Sequence, residues 1–442
     1  MTDTTLTFDI PSISGREIAV RFDGGDISSD AGITLVCAAD RKAGLTSALA
    51  LAIDDQRDPA KVDHSIRLLL QERIYAISMG YEDANDLDRL RYDPILKTAC
   101  GRLPKSGLAL GSQPTISRFE NGTSGRDLIR MSRIIAENVI AQLPQGTKRV
   151  ILDVDATEDP CHGQQQLECF NAFYDSHCYL PLLFFVTGED GRQRLISALL
   201  RPGNAGAAKG MRAVLRKIVQ ILRRRLPNAQ IILRGDSGFG IANVIRWCHR
   251  LDIDYVLGLS SNSILHKLST PIQMDAAIKY GWEGDGCREF GEIVYGANTW
   301  EKEERVIVKA EITRRELNPR FVVTSLKDIA PEELYDFYCL RGDSENRIKE
   351  FKIDLSSGRT SCHRFLANQF RLLLHMAASV LMSMLQTSLA GTKWAAAQVN
   401  TLRTRILKVG ARVVESCRKI WFHLPTAFPD RDIWLILQQQ LT

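Results

Sequence analysis

Between residues 30 and 90, apolar side chains recur at three- and four-residue spacing, the period of helices with one buried face. The spacing predicts helices over 38–53, 64–78 and 84–90, after a short strand-like start and a turn at Arg21-Phe-Asp-Gly-Gly25. Asp63 stands where an N-cap would serve the second helix. From Arg149 the period changes. Val150–Thr157 is an apolar run ending in acids, Tyr179–Thr187 and Arg194–Leu200 are further apolar runs, and 207–226 is helical. Gln230–Arg234 then leads straight into Gly235-Asp-Ser-Gly-Phe239. Strands around a crossover helix predict a mixed α/β sheet. Residues 259–329 alternate, as in Arg305–Ile312 and Arg320–Ser325, with a Gly-rich turn at 281–286, and read as β-rich. Pro331 opens a helical stretch to about Phe351, a long helix follows near 363–390, and a basic segment ends the chain.

The chain has 442 residues, 45% hydrophobic and 25% charged, a globular composition with room for several cores. With 57 Lys and Arg against 52 acids the net charge is +5, which excludes a uniformly basic nucleic-acid coat and an acidic disordered chain. The total conceals a division: residues 358–442 carry eleven basic and three acidic residues, a net +8, leaving −3 for the rest. That division fits one part gripping phosphates and another holding metal. Ten cysteines without a Cys-x-x-Cys pair suit reduced thiols. The first residues lack a basic segment followed by an apolar core, so a cytoplasmic, nucleoid-associated location is expected. Leu372–Thr392 is uncharged and long enough to span a bilayer, yet it carries His375, Gln386 and three serines. It reads as a buried core helix, with no membrane partner.

An acid inside an apolar strand is costly unless it is paired or holds a metal. Asp153 and Asp155 are two apart on one strand and share a face, and Asp236 ends another strand of the same predicted sheet. Carboxylates at adjacent strand ends suit a hard divalent cation such as Mg2+. Taking about 100° per residue, Tyr338, Arg341, Glu345 and Lys352 fall within about 60° of one helix face. That face is too polar for a core. It suits a phosphodiester, with Glu345 on metal, Arg341 and Lys352 on phosphate oxygens and Tyr338 on the backbone. Gly342 and Asp343 threaten the helix between them.

The spacing Tyr-x2-Arg-x3-Glu-x6-Lys, met by those four residues, resembles the signature of DDE transposases in a large superfamily of bacterial insertion sequences. Phe22-Asp-Gly-Gly, Asp54-Asp-Gln-Arg-Asp-Pro59, Gly80-Tyr-Glu-Asp83, Leu110-Gly-Ser-Gln-Pro-Thr115, Leu152-Asp-Val-Asp-Ala-Thr157 and Leu233-Arg-Gly-Asp-Ser-Gly-Phe239 are similar to the thirteen-eighty family within it. The resemblance implies an RNase H-like core with catalytic Asp155, Asp236 and Glu345. The match of Asp155-Ala-Thr157 to an Asp-x-Thr pattern favours Asp155 as the first acid, with Asp153 as second candidate or auxiliary ligand. It implies two Mg2+ ions, with Mn2+ able to substitute, cleaving and joining DNA at terminal inverted repeats and target, and a homodimer on DNA. It also implies an aromatic residue of the insertion stacking on a flipped base, for which Trp282 and Trp300 are candidates beside an ordinary core role. The interval of 109 positions from Asp236 to Glu345 requires an insertion by length alone.

The expected division is therefore 1–145, a helical DNA-binding or dimerisation region; 146–258 with 330–390, the split catalytic core; 259–329, the β-rich insertion; and 391–442, a basic helical region. Gly111–Asn121 resembles the start of a recognition helix, with Ser112, Gln113, Thr115 and Arg118 toward DNA. A capped surface helix, with Ser112 as cap and Pro114 in the first turn, explains it equally. Cys161, His162, Cys169, His177 and Cys178 match no familiar zinc spacing. The basic helix 212–225 reads either as a DNA contact or as a solvated face. Two other functions share these residues: a catalytically idle, transposase-derived DNA-binding protein, and a Mg2+-dependent nuclease without strand transfer. Three buried acids favour an active enzyme, since a binding module has no use for them.

Overall fold

The structure, a computed structural model, describes residues 5–7, 9–283, 286–312 and 317–442. The chain forms two compact units, residues 1–120 with 381–442, and residues 121–380. This division differs from the four segments read from the sequence. Residues after 390 complete the N-terminal unit: the Ala31 and Gly32 amides donate to the Val409 and Leu407 carbonyls, each at 3.0 Å. Ala411–Glu415 pairs antiparallel with Ile27–Ser28 on one side and Ile420–His423 on the other. The expected helical C-terminal region is thus partly strand, with helix at Val399–Leu402, running into a π-turn over Arg403–Leu407, and at Arg431–Leu441. Several of its cations are structural, since Lys408 pairs with buried Asp30 at 2.7 Å and Arg403 donates to the Ser78 carbonyl.

Apart from a short antiparallel pairing of Leu6–Thr7 with Ala19–Val20, the regular structure in the rest of the first unit is helical. The predicted helix 38–53 is two, α1 (Ile33–Ala43) and α2 (Leu45–Ala52), because Gly44 adopts φ +63°, a left-handed value glycine tolerates without strain. Buried Asp40 ties them to α3 (Ile66–Ser78), accepting from the Thr46 amide at 2.8 Å and the Tyr75 hydroxyl at 2.7 Å. The cap of α3 is Ser65, whose hydroxyl accepts from the Leu68 amide, and not Asp63. Helix α4 (Gln113–Gly122) is anchored by the buried Glu120–Arg73 ion pair at 3.0 Å.

The second unit is built on one eight-stranded sheet. Its strands are β1 (Arg149–Ala156), β2 (Leu182–Thr187), β3 (Gln193–Leu199), β4 (Gln230–Gly235), β5 (Asp254–Leu259), β6 (Cys287–Tyr295), β7 (Glu304–Ile312) and β8 (Leu317–Thr324). Their order across the sheet is β6-β7-β8-β5-β4-β1-β2-β3. β1, β4 and β5 run parallel, and every other pairing is antiparallel. The run predicted over 179–187 is interrupted at Leu180-Pro181, which ends a small three-stranded sheet of Asp159–Pro160, Cys169–Asn171 and Ser176–Tyr179 before β2 begins. Helix α5 (Gly125–Ala141) leads into β1, α6 (Met211–Arg225) crosses from β3 to β4, and α7 (Ala242–Leu251) joins β4 to β5.

The insertion continues the main sheet. After β5 come α8 (Ser263–Leu268) and α9 (Thr270–Glu283), then the meander β6-β7-β8, whose last strand pairs with β5 through Val256 and Thr324. These two helices escaped prediction because Ile264, Met274 and Ile278 face solvent and blur any stripe. The stretch expected to be one helix from Pro331 to Phe351 breaks at Leu340-Arg341 into α10 (Pro331–Cys339) and α11 (Gly342–Lys349), and ends in a wide π-turn over Glu350–Asp354. Helix α12 (Phe365–Ser388) is largely buried within the protein.

Candidate active site

The parallel register sets β1 beside β4 so that Asp153 faces Arg234 and Val154 faces Gly235. One step further, Asp155 and Asp236 stand together where the two strands end. Their environments separate the two acids of β1. Asp153 is fully buried, and Arg234 holds it with Nε at 2.6 Å from Oδ1 and Nη2 at 3.0 Å from Oδ2. Gln193 Nε2 adds a third donor at 2.8 Å. A carboxylate so buried and so satisfied makes a structural ion pair, whereas Asp155 is less enclosed. Arg234 also donates to the Phe337 carbonyl at 2.6 Å, so the same residue docks the end of α10 on the sheet.

Asp155 is only partly shielded. Its Oδ1 accepts from the Ala156 amide at 2.8 Å and its Oδ2 from Arg341 Nη1 at 2.9 Å. Burial pushes its carboxyl up to about 6, the Arg341 guanidinium opposes this, and the charges of Asp236 and Glu345 add to it. Asp236 is half-buried, with Oδ1 accepting from the Gly238 amide at 2.9 Å. Glu345 projects from α11 with 68% of its side chain exposed, its Oε1 3.7 Å from Arg341 Nη2.

The four residues of the predicted stripe reach the strand ends separately. Tyr338 brings its hydroxyl against Gly258 of β5, where a Cβ would lie 2.6 Å from it and 2.7 Å from the Ser237 amide. Glycine is required there by that close approach. Burial raises the Tyr338 hydroxyl pKa, with Arg341 opposing and Asp236 adding. Arg341 turns to Asp155 at the helix break, and Lys352, in the π-turn, donates to the Glu158 carbonyl at 2.6 Å. Short π segments recur at functional sites because they re-aim one side chain without ending the helix.

Tyr174 is a residue that motif reading missed. It sits half-buried at the tip between Cys169–Asn171 and Ser176–Tyr179, where Asn171 Oδ1 accepts the amides of Phe173 at 2.9 Å and Tyr174 at 3.3 Å. Burial, then the charges of Asp155, Glu158 and Asp236, hold its proton more tightly than usual. The available signal was an Asn-led turn carrying two adjacent aromatic residues just after the first acid strand.

Trp282 lies at the exposed end of α9, 87% accessible, whereas Trp300 packs edge-on to Tyr295 at 5.4 Å. Ser112, Gln113, Thr115 and Arg118 belong to the first unit. Ser112 and Thr115 hydroxyls lie 3.1 Å apart, the Gln113 amide donates to Asp88, and Arg118 is exposed. The Cys161 to Cys178 group builds the small sheet, with Cys169 directly opposite Cys178 and both thiols free.

Oxygen donors alone make up the acid set, which fits a hard cation such as Mg2+ better than a soft one. Burial is the main reason the Asp155 carboxyl holds its proton more tightly, and the nearby charges of Asp236 and Glu345 add a smaller part that a cation would relieve. Among the described residues no three His, Cys, Asp or Glu already stand at ligand distance. Of these acids Glu345 is the most exposed.

The model of the family described as transposase DDE domain, group 1, matches residues 10–442. No curated protein matches the chain. Among solved structures, the NurA nuclease from Sulfolobus solfataricus aligns at 9% identity and a TM-score of 0.21, over 60% of this chain and 92% of that one. A likeness at that level carries no conclusion. With the family match spanning nearly the whole chain, this protein belongs to the DDE transposases, enzymes that bind DNA and transfer nucleotidyl groups.

Proposed function

We propose that the chain is the cut-and-paste transposase of a bacterial insertion sequence of the thirteen-eighty type, cleaving and joining DNA at terminal inverted repeats with two Mg2+ ions. The observation that carries this is the placement of Asp155 and Asp236 at the ends of adjacent parallel strands, with Glu345 close enough to raise the Asp155 pKa. The order β3-β2-β1-β4-β5, with β1, β4 and β5 parallel, supports an RNase H-like core extended at one edge by β8, β7 and β6. A homodimer on DNA is part of the same reading.

Asp155, Asp236 and Glu345 would hold the ions. When bound, divalent cations activate the attacking hydroxyl and stabilise the departing oxygen of an in-line displacement. The chain supplies the rest. Arg341, released from Asp155, is placed to take a phosphate oxygen, Lys352 stands at the other side of the strand ends, and Tyr338 orients the backbone by its hydroxyl. No protein nucleophile is needed.

The test uses a plasmid carrying the reading frame's flanking DNA. Wild-type protein in Mg2+ is expected to cut at the flanking repeats and yield joined products, while Glu345→Gln and Asp236→Asn bind the repeats without cutting. Cleavage by either variant at the wild-type rate would overturn the assignment. Cutting without joining would identify a nuclease, and repeat binding without cutting by the wild type an idle descendant.

A further inference from the structure

We infer that the outer face of α6 is a docking surface for the sugar–phosphate backbone of duplex DNA, beginning beside Asp236 and leading away from the carboxylates. This rests on the transposase reading and adds to it a second DNA contact in the catalytic unit.

Helix α6 holds six Lys and Arg and no acid over 15 residues. Its apolar side, Met211, Leu215, Ile218, Val219 and Leu222, is buried. Two of the arginines serve the fold: Arg223 donates to the carbonyls of Ala229 at 2.6 Å and Asp252 at 2.8 Å, and Arg225 to that of Ala141 at 3.1 Å. Arg212, Arg216 and Arg224 are exposed and Lys217 half-buried, and among the described residues none of the four has a carboxylate within ion-pair distance. At about 100° per residue they share an arc of about 140° facing away from the core.

The start of this face is fixed relative to the acids. A Cβ on Gly238 would lie 3.1 Å from Asp236 Oδ1 and 3.2 Å from Ala207 Cβ, so the segment entering α6 abuts the Asp236 turn. Buried Arg201 holds that segment by the carbonyls of Gly206, Ala207 and Lys209. From Arg212 to Arg224 the helix advances roughly 18 Å, the length of about five steps of a DNA strand. A band of unneutralised cations over that distance and on one side of the helix complements a phosphate backbone. A bilayer is disfavoured because the apolar side of α6 is already spent on the core and leaves nothing to insert.

The experiment measures binding of a 30-bp duplex of arbitrary sequence by fluorescence anisotropy in EDTA across a KCl series, using the full chain. The triple variant Arg212→Gln, Arg216→Gln, Arg224→Gln is expected to bind at least tenfold more weakly at low salt. Its log–log salt slope should be shallower by about 3, near 0.9 for each phosphate that is no longer neutralised. The matching triple Arg→Lys variant is expected to keep the wild-type slope, and Arg246→Gln, whose arginine is paired with Glu301 at 2.8 Å, to change nothing. An unchanged slope in the Gln triple overturns the inference, as does loss of binding to vesicles containing phosphatidylserine with duplex binding intact. Mg2+-dependent plasmid cleavage by the wild type reports on the transposase reading separately: cleavage with an unchanged slope removes only the surface, and a wild type that neither binds nor cleaves removes both.

Discussion

Arg341 donates from Nη1 to Oδ2 of Asp155 at 2.9 Å, across 186 residues of sequence, and its second terminal nitrogen lies 3.7 Å from Glu345. One guanidinium thus stands between two acids of the candidate triad, where it offsets charge that a metal would otherwise offset. Removing it should favour the metal. Charges about 4 Å apart near a surface interact by roughly 1–4 kcal/mol, so Arg341→Gln is expected to tighten Mn2+ binding by roughly tenfold in isothermal titration. The same change should lower DNA cleavage, because the phosphate loses its cation. Unaltered or weaker Mn2+ binding would show that Arg341 does not compete for these carboxylates.

The neighbouring pair makes the opposite prediction. Arg234 and Asp153 are buried against each other at 2.6 Å, and removing one partner strands the other's charge. Arg234→Met is expected to cost about 3–5 kcal/mol in denaturant unfolding of the catalytic unit. Adding Asp153→Asn to that variant should restore a large part of the loss, since the orphaned carboxylate goes with it. Strictly additive losses would mean that the two residues act independently.

These two pairs also show what the sequence could and could not reveal. The runs ending in Asp155 and Asp236 were legible because apolar strands closing on acids are rare and costly. Asp153 and Asp155 share a face, and in the sequence only the Asp-x-Thr match favoured Asp155; the parallel register, which sets Arg234 beside Asp153, supplies the physical distinction. Arg341 was legible as a cation of the site, while its partner was not, since nothing local links positions 186 residues apart. Tyr174 was invisible for a similar reason, being brought to the acids by a hairpin fold-back and not by spacing. The helices 263–268 and 270–283 were missed because their apolar residues lie on several sides.

Glu72 should make the first unit pH-sensitive. It is fully buried on α3, its Oε2 accepts from the Gly111 amide at 2.8 Å, and burial pushes its carboxyl from 4.5 up to about 8. Between those values the folded protein holds a proton that the unfolded chain has released, so stability falls as pH rises from about 4.5 to about 8. The contribution is on the order of a few kcal/mol at 1.36 kcal/mol per unit, a shift from which the nearby arginines have already subtracted. Glu72→Gln keeps an acceptor for Gly111 and removes the titration. Its thermal midpoint should decline less than that of the wild type between pH 5 and pH 8. Parallel curves for the two proteins would discount Glu72 as the source.

The last residues of the chain are predicted to be indispensable to the first unit, beyond any part they play on DNA. Gly32 precedes α1 at φ −63°, an ordinary backbone value, so its lack of a side chain is a matter of space. A Cβ there would lie 2.3 Å from Leu407 Cα and 2.5 Å from the Leu407 carbonyl oxygen, both backbone atoms that cannot swing aside. Gly32→Ala therefore forces α1 away from the returning segment that carries Leu407, Val409 and Ala411. Overpacking of this kind costs typically about 1–3 kcal/mol and more when backbone must move. Truncation after Gly391 removes this packing altogether, leaving the Ala31 and Gly32 amides and buried Asp30 without Val409, Leu407 and Lys408. Limited proteolysis is expected to degrade residues 1–120 rapidly in the truncated chain and at an intermediate rate in Gly32→Ala, with residues 121–380 resistant in both. A truncated chain whose N-terminal unit stays resistant, and which loses only salt-sensitive DNA binding, would instead establish the segment as a dispensable basic tail.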